Sequence, residues 1–241
     1  MYHSVTFGDK NTWDDWHLVA TSRPVIMPPG VKTKYVDIPG ADGQTDYTQA
    51  LTGETLYQTR IGSIEFYVMN GYQEWEYIYS EIMNYLHGQR MQLILEDDPG
   101  FYYEGRFSVN SWRSEKDRSK IVIDYDVFPY KIDMYDTSED WLWDPFDFEV
   151  GIIREYNNLV VNGTITLEVV GSRKICIPVF DISMSSLGAS MTMSWSGTPN
   201  KNYELLSGKN KFPDIKIKNG SSTFTFKGNG IVTVIYRGGS L

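Results

Sequence analysis

A chain of 241 residues, 41% hydrophobic and 15% aromatic, is long enough to bury one large core or two modest ones. With 22% charged residues and a mean hydropathy of −0.35 it reads as a soluble globular protein, and no apolar run reaches the roughly 18 residues a helical membrane span needs. A net charge of −9 disfavours nucleic-acid binding, because attraction to phosphate needs clustered lysine and arginine.

The charge is unevenly spread. Residues 151–241 hold 10 Lys and Arg against 5 Asp and Glu, a balance of +5, whereas residues 1–150 hold 12 against 26, a balance of −14. That asymmetry predicts two domains with different surroundings: a first over 1–132, an acidic and aromatic junction over 133–149, and a second over 150–241. The start, Met1 to Val5, has no basic segment followed by an apolar run, so no signal peptide is expected. The single Cys176 has no internal disulfide partner; flanked by Ile175 and Ile177 it reads as a small buried residue, and folding in a reducing cytoplasm is expected.

In chain order, β-branched and aromatic content with period-two alternation predicts strands at Val5–Phe7, Trp16–Val19, Lys34–Ile38, Ser63–Met69, Met91–Leu95, Tyr102–Asn110 and Lys120–Phe128. The third runs into Pro39-Gly40 and then Asp42-Gly43, two turn signals in which proline presets φ and glycine supplies φ > 0. Such a turn presents backbone and an aspartate at a rim, with no nucleophile, general base or metal cage. Tyr57 and Arg60 follow. From Tyr72 to His87 apolar residues recur at i, i+3 and i+4, predicting one amphipathic helix with Asn70 as its cap, Gln73 three residues on and Gly88 at its end. Its buried face is Trp75, Ile78, Ile82 and Leu86. Asp97-Asp98-Pro99-Gly100 reads as a turn and Arg113 to Arg118 as a charged hairpin tip.

In the junction, Trp141, Trp143, Phe146 and Phe148 are too apolar for a free linker, so partial burial is expected. Beyond it only strand patterns occur: Val150–Tyr156, Val160–Val170, Lys174–Ser183, Ser190–Trp195, Asp214–Lys218, Ser222–Phe226 and Ile231–Tyr236. Asn162-Gly163, Asn219-Gly220 and Gly228-Asn229-Gly230 read as the turns between them. Seven short strands without a helix predict a β-sandwich of jelly-roll kind.

Taken together, Phe7 and Gly8 in the first strand, Thr12, Asp15, Trp16 and Leu18 after it, the Val36–Asp46 turn, Tyr57, Arg60, the helix after Gly71 and the closing Gly230–Leu241 strand form a pattern. It resembles the distal tail proteins of long, flexible-tailed (siphovirus-type) bacteriophages, most specifically over the first 130 or so residues. The resemblance implies a mainly β chain: an N-terminal β-barrel or split-barrel sheet with one flanking helix, and a galectin-like or carbohydrate-module-like C-terminal sandwich. It implies a structural protein of the virion, made in the bacterial cytoplasm and placed at the distal end of the tail. There a hexameric ring hub joins the tail tube protein to a tail-tip or tail-associated lysin-type protein, with a receptor-binding protein or a host-surface glycan as a further partner. On this reading the helix face and the rim are subunit contacts, with Pro39, Gly40, Asp42, Gly43, Tyr57 and Arg60 as the candidate residues. Arg60, a rigid bidentate donor, suits a carboxylate across an interface or within its own chain. The acidic first half would give the ring lumen a charge that repels DNA.

Residues for catalysis are sparse. His3, His17 and His87 lie far apart and in no zinc spacing, and neither a G-x-S-x-G elbow nor a phosphate-binding loop occurs. Asp97-Asp98 and the Asp144, Asp147, Glu149 group are acidic enough for chance pairs, but a glycosidase needs two carboxyls about 5 to 10 Å apart across a sugar cleft. Asp136 to Asp140 lacks the alternation and glycine of a calcium loop. The expectation is no enzyme, no cofactor and no metal. The alternative functions are a carbohydrate-binding module for cell-surface glycans, with Trp195, Tyr203 and Phe212 as stacking candidates, and a glycoside hydrolase resting on carboxylates alone. Core burial is the commoner fate of such aromatic residues.

Overall fold

The structure is a computed structural model that describes residues 3–116, 118–139, 156–186 and 189–241. The chain is mainly β with a single helix and divides into two compact units, Met1–Lys131 and Ile132–Ser240, with Leu241 grouped with the first.

The first unit holds β1 (Val5–Phe7), β2 (Lys10–Asn11), β3 (Leu18–Ala20), β4 (Tyr35–Asp37), β5 (Gln44–Asp46), β6 (Arg60–Val68), α1 (Trp75–Leu86), β7 (Arg90–Leu95), β8 (Phe101–Ser114) and β9 (Ser119–Val127). Its main sheet follows the order β2-β1-β7-β8-β9-β6-β3, every pair antiparallel. Alternation decides which residues enter the core: Ile64, Phe66 and Val68 of β6 and Ile121, Ile123, Tyr125 and Val127 of β9 are all buried. Phe7 meets Phe107 edge-on at 5.2 Å. Each fully buried phenylalanine stabilises the fold by roughly 2 to 3 kcal/mol.

Helix α1 buries Ile78, Ile82 and Leu86, spaced i, i+4, i+8, while Trp75, Tyr79 and Met83 pack partly buried against the same core. It begins three residues later than the periodicity predicts. The Asn70 side chain does not cap it: its amide donates to Glu74 Oε2 at 2.8 Å, the Trp75 indole donates to the Asn70 carbonyl at 2.9 Å, and residues 72–74 turn instead. Gly88 ends it at φ +74°, the left-handed conformation a helix C-terminus favours. The strand expected at Trp16–Val19 also starts late, as β3 at Leu18, because His17 takes φ +52° in the preceding turn.

β10 (Lys131–Asp133) stands where the two units join in sequence. The second unit holds β11 (Leu159–Gly171), β12 (Val179–Met184), β13 (Met191–Trp195), β14 (Thr198–Leu205), β15 (Gly208–Lys211), β16 (Gly220–Ile235) and β17 (Gly239–Ser240). Its centre is a ribbon of two long antiparallel strands, with β11 paired to β16 from Leu159↔Val232 to Gly171↔Gly220. On its other edge β16 pairs with β13 through residues 224–227 and with β12 through residues 230–235. Two expected turns, Asn162-Gly163 and Gly228-Asn229-Gly230, are therefore the facing midpoints of one ribbon. Asn162 pairs with Asn229 and Gly163 with Gly228, and there β16 changes neighbour. Where strands were expected at Ser222–Phe226 and Ile231–Tyr236, one continuous strand runs. Asp214–Lys218 supplies only an isolated bridge, Cys176↔Ile217, and β14 and β15 fall in stretches not expected to be strands. Cys176 is buried, its thiol donating to the carbonyls of Arg237 (2.9 Å) and Lys174 (3.3 Å).

The expected strand at Val150–Tyr156, apart from Tyr156 itself, and the expected burial of Trp141, Trp143, Phe146 and Phe148 lie outside the described residues. Among the described residues no helix is long and apolar enough to cross a membrane, and no group of three or more His, Cys, Asp or Glu is arranged to hold a metal ion.

Candidate interaction arm

The hairpin of β4 and β5 stands apart from both main sheets. Tyr35 pairs with Asp46, Val36 with Thr45 and Asp37 with Gln44. The turn signals do what their chemistry requires: Gly40 and Gly43 take φ of +84° and +73°, and Ala41 N–H donates to the Ile38 carbonyl at 3.1 Å. Hydrogen bonds carry the pairing back towards the body, from Tyr47 to Lys34 (2.7 Å), Lys32 to Leu56 (2.9 Å) and Gln58 to Gly30 (2.7 Å). The arm therefore spans residues 30–58. Every residue from Val31 to Tyr47 is exposed, including Val31, Tyr35, Val36, Ile38 and Tyr47, and Leu51 is 98% exposed. The hairpin thus carries several uncovered apolar side chains. The Thr48 hydroxyl and N–H hold the Asp46 carboxyl below its ordinary pKa.

At the root of the arm lie a buried cation and a phenol. Arg60 is only 5% exposed. Its Nε donates to the Pro129 carbonyl at 2.7 Å and its Nη1 to the Met27 carbonyl at 3.4 Å, with the guanidinium carbon 5.4 Å from the centre of the Tyr103 ring. Within the described chain its partners are main-chain carbonyls rather than a carboxylate, and its buried Nη2 has no hydrogen-bond partner there. Burial pulls its pKa down and pushes the Tyr103 phenol up, yet an arginine remains charged under these conditions. Tyr125 lies opposite Gly62, where a Cβ would collide with the Tyr125 hydroxyl; the bare glycine lets that hydroxyl accept from Met27 N–H at 3.0 Å. Arg60 and Tyr125 thus fasten the outgoing chain to the sheet while the returning chain enters β6. A glycine inside the Ile61-Gly62-Ser63 stretch is the one sequence signal for this close approach. Replacing Arg60 with Met leaves the Pro129 and Met27 carbonyls without their charged donor, at a cost of about 2 kcal/mol. Urea unfolding is expected to show that loss, and hydrogen exchange is expected to quicken in residues 27–34.

The candidate contact residues separate accordingly. Pro39, Gly40, Asp42 and Gly43 sit together at the exposed tip. Tyr57 is half-buried at the base, bridged to Val31, its ring 6.1 Å from that of Tyr130, and Arg60 belongs to the root. In the second unit, Trp195 stacks on Phe224 at 6.4 Å and 11°. Tyr203, 4% exposed, packs 4.9 Å from Phe212 and donates its hydroxyl to Asp214 at 2.8 Å. These rings face protein neighbours rather than forming an open stacking platform.

The backbone superposes over 100% of its length on 100% of one solved structure, with a TM-score of 0.66 and 12% sequence identity. The chain has the fold of the SPP1 Dit protein. The crystal structure of SPP1 Dit (gp 19.1) is described as a paradigm of hub adsorption apparatus in phages that infect Gram-positive bacteria. No family model matches the sequence, and no curated protein matches it. The likeness to Dit is thus one of fold.

Proposed function

We propose that this chain is a structural hub protein of a phage tail. It closes at the distal end into a ring of six copies that joins the tail tube to the tip and adsorption proteins. The observation that carries the reading is the end-to-end match to the Dit fold, which includes both units rather than one shared module. The arm supports it independently: an exposed, apolar, hairpin-stiffened projection has no role in the core of its own unit and suits contact between copies. Pro39, Gly40, Asp42 and Gly43 at its tip are the proposed contact residues, and Arg60 acts by holding the arm's root. The role asks for no catalytic residue, cofactor or metal. Carbohydrate binding through Trp195, Tyr203 and Phe212 is the less favoured reading, since the rings it would use are packed against Phe224, Asp214 and one another.

Light scattering on the chromatographed protein, with imaging of the largest peak, tests the reading. The expected result is a mass of six protomers in ring-shaped particles, at micromolar concentration or on addition of tail-tube protein. A monomer under both conditions would sink it.

A further inference from the structure

A glycine that follows an asparagine leaves its main-chain nitrogen open to the asparagine side chain, because no Cβ screens the approach. The chain has four such pairs, at Asn70, Asn162, Asn219 and Asn229, and the fold treats them differently. The Asn70 amide donates to Glu74 Oε2 at 2.8 Å and its carbonyl accepts from the Trp75 indole at 2.9 Å, so both ends of the residue are held. Asn229 is held more tightly. Its side-chain oxygen accepts from Gly163 N–H at 3.2 Å, its carbonyl accepts from Ser185 N–H at 3.3 Å and Ser185 Oγ at 3.1 Å, and Gly230 pairs with both Val161 and Met184. Asn162 is exposed, but the Gly163 N–H beside it is the one engaged by Asn229, with ladder on both sides of it. Asn219 differs on each count. It is exposed, it lies in a bend just before β16, and among the described residues its side chain forms no hydrogen bond. Gly220 is exposed at φ +101°, and a Cβ there would meet nothing within 4 Å. Its strand partner is Gly171, the last rung of the β11–β16 ladder, and a terminal rung opens far more readily than an internal one. Lys216 and Lys218, both exposed on the approach, favour the amide anion that attacks.

We propose that Asn219 is a self-modification site, at which the Asn219-Gly220 pair deamidates through a cyclic imide. The Gly220 nitrogen bonds to Asn219 Cγ, the Cγ–Nδ2 bond breaks, and ammonia leaves with the Gly220 amide proton. Water then adds to either imide carbonyl and reopens the ring as aspartate or isoaspartate. The net change is water in and ammonia out, with no oxidant, reductant or cofactor. Either product places a new carboxylate next to Lys218, and the isoaspartyl form adds one carbon to the main chain at the mouth of the ribbon. The reaction is a property of the folded chain and does not depend on the ring proposed above.

The test holds the full chain in mildly alkaline buffer made with heavy-oxygen water. Samples taken over days are digested and mapped by mass spectrometry, with electron-transfer fragmentation to separate aspartate from isoaspartate. A parallel incubation in guanidinium chloride gives the rate of each pair with the fold removed. Expected is heavy-oxygen-labelled aspartate and isoaspartate at position 219, forming in the folded protein at close to the unfolded rate. Asn70, Asn162 and Asn229 are expected to fall behind their own unfolded rates by about ten-fold or more, since their glycines open only with the structure around them. Protection of Asn219 as strong as that of the other three, or conversion led by one of them, overturns the proposal. Aspartate at 219 without isoaspartate overturns it as well, because direct hydrolysis would then replace the imide.

Discussion

Replacing residues 33–55 by Asn-Gly is expected to give a folded chain that stays monomeric where the wild type assembles. The change is geometrically mild, because Lys32 N–H already donates to the Leu56 carbonyl at 2.9 Å and a two-residue Asn-Gly link closes paired antiparallel strands. It is also thermodynamically mild. The segment removed is exposed from Thr33 to Tyr47 and contributes no residue to either buried cluster, and shortening a loop lowers the entropy of closing it. The melting temperature should stay within a few degrees of wild type, by the usual scaling for domains of this size. Assembly, in contrast, loses the whole apolar surface that the arm carries. Light scattering reads the mass and calorimetry the stability. A shortened chain that still forms six-fold rings would remove the arm from the interface.

The largest effect on stability is expected at the midpoint of the β11–β16 ribbon. A Cβ at Gly230 would sit 2.5 Å from the Ser183 carbonyl oxygen and 3.3 Å from Met184 Cα. Both belong to the paired strand β12, so neither can yield without breaking the ladder. Gly228, at φ +142°, would place its Cβ 2.7 Å from the Ser190 carbonyl, in a conformation that residues with a side chain rarely adopt. Gly230→Val is therefore expected to cost roughly 4 kcal/mol or more. That is enough to unfold a marginally stable domain, given total stabilities of about 5 to 15 kcal/mol. Because β16 joins β11, β12 and β13, the loss should spread through the second unit. Near-ultraviolet circular dichroism and two-dimensional NMR would show its signals collapse while those of residues 3–116 persist. A variant that melts like wild type would show that the ribbon tolerates a side chain there.

These two regions show where local sequence speaks and where it does not. The hairpin turn was legible because its cause is local: Pro39-Gly40 and Asp42-Gly43 can meet their backbone preferences within a few residues, and the φ values of Gly40 and Gly43 express that. The same signal misled in the second unit. Asn162-Gly163 and Gly228-Asn229-Gly230 have the composition of hairpin turns. They instead face one another across a ribbon, and Gly228 and Gly230 relieve crowding at the place where β16 exchanges neighbours, while Gly163 takes φ +86°. Neither stretch can reveal that its partner is another glycine more than sixty residues away. Arg60 was singled out as a donor for a carboxylate across an interface or within its own chain; within the chain its Nε and Nη1 bond the Pro129 and Met27 carbonyls, a result of chain path rather than residue type.

The sequence by itself determined that this protein is mainly β with one helix. Alternation of apolar residues at period two and a single run at i, i+3, i+4 settle which face of each element leaves water, whatever the elements later pack against. It also determined that chemistry-bearing motifs are sparse and that a rigid turn projects near residue 40. Tertiary structure alone decided that the turn tips an arm spanning 30–58 with its apolar side chains uncovered. It alone decided that Arg60 and Tyr125 pin that arm's root, that Tyr203 is buried, and that Trp195 and Phe212 pack partly buried against the same cluster. Exposure and partnership are set by what else the chain brings alongside, and most of those neighbours are far away in sequence: Pro129 lies 69 residues from Arg60, and Tyr125 lies 98 from Met27.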